Sequence, residues 1–207
     1  MYNISNLFSV PVYQSTDPHE VTDDELKFVR SLDVRPPVVD VNGKPFVSPS
    51  EDFQVLDSPE FSSIKKYSRE HLDTYIYDVI KISREIEFYF TESWVNYMDK
   101  GGSHPPHTHP NSIVSGVFFI HGDPCPIHFL KNDNFPFSGF SLNVTEKNNV
   151  NANTYEFYNY PGVLLLFPST TPHTVFENQS DYVRVSLSFN TFIKGKISDQ
   201  VSTALYL

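Results

Sequence analysis

From residue 86 onward the chain divides into short apolar or alternating runs, each closed by a turn signal, and no other feature constrains the fold as much. "EIEFYFTESWVNYM" alternates, with Ile86, Phe88, Phe90, Trp94 and Asn96 on one parity. "SIVSGVFFI", "CPIHFL", "TYEFY", "GVLLLF", "HTVFE" and "YVRVSLSFNTF" follow. Between them stand Gly101-Gly102, Gly122-Asp123-Pro124, Asn132 to Asn134, Asn148-Asn149, Pro161-Gly162 and Asn178 to Asp181. Runs this short, rich in Val, Ile, Phe and Tyr, have the length and composition of strands. Many short strands in a row predict a β-sandwich or barrel. The aromatic share of 15% agrees, because these side chains pack well on a pleated surface.

Helices support the strands. Ser58 can cap a helix, Pro59 suits its first position, and Glu60 complements its positive end. Ile64, Tyr67, His71, Tyr75, Val79 and Ile82 then recur at three- and four-residue spacing, which predicts a helix over 59–83. His71 lies on that stripe and reads as a packed core residue. "DDELKFVRSL" (23–32) predicts a second, shorter helix. "LFSVPVYQS" alternates like a strand, and Asn42-Gly43 between apolar runs predicts a hairpin. The Asn-rich stretch 143–153 reads as a loop, and 132–153 as candidate pocket or lid segments. No repeat or boundary interrupts the chain, so residues 1–207 read as one domain whose motif-bearing core spans about 86–193.

Composition removes several classes of function. The net charge is −10, and no Lys/Arg run exceeds Lys65-Lys66, so a nucleic-acid footprint is absent. No apolar run approaches the roughly 18 residues of a membrane span. The first residues have neither the basic stretch nor the apolar stretch of a secretory signal. One cysteine, Cys125, allows no intrachain disulfide. A cytoplasmic protein is expected. Cys125 stands between two prolines and reads as inert.

The chemistry concentrates in "HPPHTHP" (104–110). His107 and His109 are two apart, so an extended backbone puts both imidazoles on one face, roughly 7 Å apart. Pro106 and Pro110 stiffen the backbone on both sides, which lowers the entropy lost when ligands are ordered. A third histidine, His173, opens the run after "LLLFPSTTP" and can face the same pair in a closed sandwich. Imidazole suits Fe, Zn, Cu and Ni. In "YVRVSLSFN", Tyr182, Arg184, Ser186 and Ser188 share one face, and Val183, Val185, Leu187 and Phe189 the other. If the polar set faces inward, Arg184 needs an anion, and its fork with Ser186 nearby suits a carboxylate.

These pieces together resemble the Fe(II)/2-oxoglutarate-dependent oxygenases, and within them a bacterial and phage subfamily. The resemblance rests on "SWVN", Gly101-Gly102, "HTHP", "SGVFF", "PGVLLLFPS", Pro172-His173 and "RVSLSFN", in that order over residues 93–190. Arg184 follows His173 by eleven residues, with a serine two further on. The resemblance implies a mainly β, double-stranded β-helix (a cupin-like jelly roll) with one or two buttressing helices. It implies an enzyme, a dioxygenase and most simply a hydroxylase, that uses Fe(II), O2 and 2-oxoglutarate as cosubstrate. By position, His107, His109 and His173 become the metal ligands. Arg184, Ser186 and Asn96 become the cosubstrate-binding residues. His104 and Trp94 fall to a second shell or to the substrate, a small molecule or peptide. A homodimer is allowed.

One departure stands out. Most of the superfamily has Asp or Glu where this chain has His109, and three neutral imidazoles leave the full metal charge uncompensated. His104, Asp99 or Asp123 are alternative third ligands. A three-His site also suits a cupin-like metalloprotein: a cosubstrate-free dioxygenase, an isomerase or a zinc enzyme. A non-enzymatic β-sandwich with an exposed His-rich loop is the remaining alternative. His121 and His128 read as structural.

Overall fold

The computed structural model describes residues 9–131, 143–148, 150–198 and 205–207. The strands expected from residue 86 onward are present in order, and β2 and β4 join them without having been expected. They are β1 (Tyr13–Gln14), β2 (Ser48–Pro49), β3 (Ile86–Met98), β4 (His104–His107), β5 (Val114–His121) and β6 (Ile127–Leu130). After them come β7 (Thr154–Phe157), β8 (Leu164–Pro168), β9 (His173–Val175) and β10 (Arg184–Gly195). One sheet has the order β1-β8-β5-β10-β3-β2 and the other β4-β9-β6-β7. Neighbouring strands pair antiparallel, and the arrangement is a double-stranded β-helix.

Strand parity builds three layers. On β5, β8 and β10, residues Phe118, Ile120, Leu164, Leu166, Leu187 and Phe189 point outward into a core shared with the helices. Val117, Phe119, Leu165 and Phe167 point the other way, against Ile127, Phe129 and Val175 of the second sheet. Both faces of the larger sheet are therefore buried, which is why "VFFI" and "GVLLLF" read as continuous apolar runs. Gly116 is required where it stands. A Cβ there would lie 2.1 Å from Cζ of Phe189, whose ring crosses the strand at that point.

Two helices close the outer core. The first, α1 (Asp23–Ser31), starts on a capping box: Thr22 accepts from the Glu25 amide, and Glu25 accepts from the Thr22 amide. Glu25 is buried, and His19 and Ser63 also hydrogen-bond its carboxylate. The second, α2 (Ser62–Asp73), is preceded by a 3₁₀ turn at Pro59–Phe61 and followed by a π-helical turn at Thr74–Val79. The predicted helix over 59–83 thus ends early, and the Ser58 side chain makes no cap bond. The Ile80 amide donates to Tyr75 O, five residues back, and Lys81 has φ 64°. This widened turn leaves Val79 at the surface, off the apolar stripe. His71 is packed as expected, 2.6 Å from the Tyr13 hydroxyl through Nδ1.

The predicted hairpin forms around Gly43, with Asp40 N donating to Lys44 O. The strand expected at "LFSVPVYQS" is reduced to Tyr13–Gln14, and its first residues lie outside the described ones. Loop 132–153 is described only in part. Among the described residues no helix is long and apolar enough to cross a membrane.

Candidate metal centre and cosubstrate cavity

The three histidines singled out by spacing converge. His107 ends β4 and stands opposite His173, the first residue of β9. His109 lies just past the strand, where its amide donates to Ser169 O at 2.9 Å. One ring nitrogen from each of His107, His109 and His173 falls within 4.8 Å of the others. The Nε2 atoms of His109 and His173 are 3.4 Å apart. An ion about 2.1 Å from two imidazole nitrogens leaves them roughly 3.0–3.4 Å apart, so the donor set fits a divalent metal.

Each ring is fixed in the tautomer that a metal needs. Nδ1 of His107 lies 2.9 Å from Pro105 O, and Nδ1 of His173 lies 3.0 Å from Thr171 O. Nδ1 of His109 lies 2.9 Å from Asn190 Oδ1. All three partners are oxygens that only accept, so every Nδ1 donates and every Nε2 keeps its lone pair. Burial, then the neighbouring His107, pushes the pKa of His173 down to about 3 and of His109 down to about 4. Burial also lowers that of His107. The cluster is neutral at pH 7 and needs to shed no proton on taking a cation.

The support behind His109 was not visible as a motif. Asn190 Oδ1 also accepts from Ser115 Oγ, which touches Ser169 Oγ at 2.8 Å, and Ser169 Oγ donates to Ser112 Oγ at 2.7 Å. A chain of hydroxyls thus anchors the His109 imidazole. The parity of "RVSLSFN" carried the signal, because Asn190 continues the inward face of Arg184, Ser186 and Ser188.

Arg184 is 5% exposed, and its Nε and one terminal nitrogen have no hydrogen-bond partner among the described residues. Its guanidinium lies 4.9 Å over the Phe119 ring, and burial lowers its pKa. A buried cation without an anion is costly, so this geometry demands one. Ser186 is buried beside it on the same face, and one cavity between the sheets is lined by the three histidines, Arg184 and Ser186. The donor chemistry at that end fits a carboxylate.

The remaining expected residues divide. Asn96 is buried but committed: it accepts from Trp94 Nε1 at 3.1 Å and donates to Ser188 Oγ at 2.9 Å. Trp94 stacks on His109, with centroids 6.0 Å apart. His104 is outside the converging set and stacks on His107 at 3.9 Å. Between His104 and His107 two residues of β4 oppose one of β9, and this bulge turns both rings to one side. Asp99 and Asp123 do not join the set, and Asp123 accepts from Ser180 instead. His128 is buried against Phe176 near Glu156, and His121 is exposed at the end of β5. Burial raises the Cys125 pKa, which suppresses its thiolate.

Comparison with known proteins agrees with this geometry. Residues 92–190 match the family described as "Putative 2OG-Fe(II) oxygenase", a stretch of just under half the chain that holds the three histidines and Arg184. No curated relative matches the sequence. Among solved structures, the non-heme alpha-ketoglutarate-dependent epimerase SnoN from nogalamycin biosynthesis is 11% identical, with TM-score 0.59, covering 88% of this chain and 78% of that one. A Pseudomonas putida prolyl-4-hydroxylase is 14% identical, with TM-score 0.54 and coverage of 89% and 94%. HygX from Streptomyces hygroscopicus, solved with nickel and 2-oxoglutarate bound, is 12% identical, with TM-score 0.53 and coverage of 88% and 82%. At these identities the likeness establishes the fold, the double-stranded β-helix. The family match lies on the strands that bring the histidines and Arg184 together, and with the solved neighbours it indicates a 2-oxoglutarate- and Fe(II)-dependent oxygenase.

Proposed function

We propose that His107, His109 and His173 hold the iron through Nε2, that Arg184 with Ser186 grips the distal carboxylate of 2-oxoglutarate, and that the reaction is hydroxylation of a small molecule. The observation that carries this reading is the buried Arg184, with Nε and one terminal nitrogen unpartnered among the described residues, in the same cavity as three imidazoles already set in one tautomer. When bound, Fe(II) and 2-oxoglutarate supply the oxidising chemistry: O2 takes two electrons from a substrate C–H bond and two from the 2-oxo acid, giving C–OH, succinate and CO2. The chain's own part is to hold neutral ligands still, to neutralise a carboxylate in a dry site, and to keep water from it.

Asn96 acts through its neighbours, since both ends of its amide are committed to Trp94 and Ser188. His104, stacked on His107, fixes the plane of that ligand. The three layers share strands and cores from β1 to β10, which supports reading residues 1–207 as one domain. The net charge of −10 supports a substrate other than nucleic acid. A cosubstrate-free three-His enzyme has no use for a buried distal cation, so Arg184 weighs against that alternative.

Anaerobic titration tests the proposal. Fe(II)-loaded protein should develop a metal-to-ligand charge-transfer band on adding 2-oxoglutarate, and Arg184→Ala should abolish it at the same ligand concentration. A wild-type protein that binds iron and shows no band, or an Arg184→Ala variant that keeps it, overturns the proposal.

A further inference from the structure

We propose that the cleft over His107 and His109 takes a small organic cation, an amine whose apolar body lies on Trp94 and Phe53 and whose ammonium group meets Glu92. This rests on the oxygenase reading above and names the substrate class for the same site.

The cleft has a volume of about 800 Å³, in the range of small-molecule sites. Its floor is aromatic. Phe53 and Trp94 stack with centroids 5.6 Å apart and planes at 29°, and Trp94 reaches on to His109. Aromatic faces carry negative potential and attract cations. Phe53 already does so: the Arg35 guanidinium stands 4.7 Å from its centroid.

The rim adds the same sign. A bulge on β3 pairs Asn190 with Glu92 and Thr191 with Phe90, so Thr91 is the extra residue. Beyond it Glu92 keeps the parity of Trp94 and Asn96 and faces the cleft, which it lines. Its exposed carboxylate has no ion-pair or hydrogen-bond partner among the described residues. Gln54 beside it donates Nε2 to Thr91 O at 2.9 Å, and its Oε1 is left as an acceptor. Among the described residues no Lys, Arg or Asp lines the cleft. Platform, carboxylate and amide oxygen therefore all select a positive, hydrogen-bond-donating group. The net charge of −10 draws cations to the protein from a distance.

The test uses 4-phenylbutylamine, 4-phenylbutan-1-ol and 4-phenylbutyrate, which share one body and differ in charge. Each is titrated calorimetrically into the full chain loaded with Co(II) and 2-oxoglutarate. The amine should bind about fivefold or more tightly than the alcohol, and the butyrate most weakly. Glu92→Gln should remove the amine's advantage and leave the alcohol's affinity within about twofold. Butyrate binding as tightly as the amine, or an unchanged order in Glu92→Gln, overturns the inference. The Co(II) ligand-field band of the same samples separates the two readings. A sample without the band refutes the metal site, whereas a normal band with no amine preference refutes only the cation site.

Discussion

Asn190 accepts a hydrogen bond from Nδ1 of His109 across 2.9 Å, and this contact fixes the plane of that imidazole. Loss of such a partner typically weakens metal binding by about 10- to 100-fold. Asn190→Ala should therefore raise the Co(II) dissociation constant by about that factor, read by spectroscopic titration. An affinity unchanged from wild type would show that His109 needs no such anchor.

Arg184 gives a prediction in two directions. Replacing a buried, unpartnered cation by an apolar residue of similar volume is often neutral or stabilising. Arg184→Met should keep or raise the melting temperature of the ligand-free protein while 2-oxoglutarate binding falls by about 100-fold, the scale of a lost charge-assisted bond. A variant that melts well below wild type would mean that the guanidinium supports the fold.

Acid should destabilise the metal-free protein through the buried imidazoles. The pKa values of His109, His173 and His104 are pushed down to about 4, 3 and 3, chiefly by burial. Their unfolded value is 6.5. The unfolded chain thus binds more protons between 6.5 and the folded values. The stability contribution is complete above pH 6.5 and is lost as pH falls toward 4, by about 1.4 kcal/mol per group and pH unit. Denaturation at pH 7 and pH 5 should differ by a few kcal/mol, and saturating Co(II) should raise the stability at both pH values by a similar amount, because the folded ligands are neutral at each. Equal stability at both pH values would contradict the burial of these rings.

Gly116 lies under Phe189, and any side chain there collides with the ring. Gly116→Ala should destabilise the fold by about 1–3 kcal/mol, as overpacking of a tight core does. Gly116→Ala combined with Phe189→Leu should recover part of that loss in urea denaturation. Additive losses would place the strain elsewhere.

Legibility in the sequence followed local physics. The strands from Ile86 to Gly195 declared themselves because both faces of the larger sheet are buried and the turns carry Gly, Pro and Asn. The convergence of His107, His109 and His173 was legible because His-x-His precedes an apolar strand and His173 opens another. Arg184 was legible from parity alone. What stayed hidden depends on tertiary pairing. Prolines at 105 and 106 disguise β4, and the bulge that stacks His104 on His107 exists only against β9. The π-helical turn after Asp73 takes Val79 off a stripe that sequence spacing extends to Ile82. The hydroxyl chain from Asn190 to Ser112 joins three separate segments, so no window of sequence contains it.

Among the described residues β4 is the edge strand of its sheet and pairs there with β9 alone. It carries His107 and leads directly to His109, while β9 carries His173. A bound ion therefore fastens a sheet margin that backbone hydrogen bonds alone hold on one side. Loading the site should slow amide exchange along residues 104–109 and 173–175 far more than in β5 or β8, so that occupancy of the centre can be read from the solvent protection of its own edge strand.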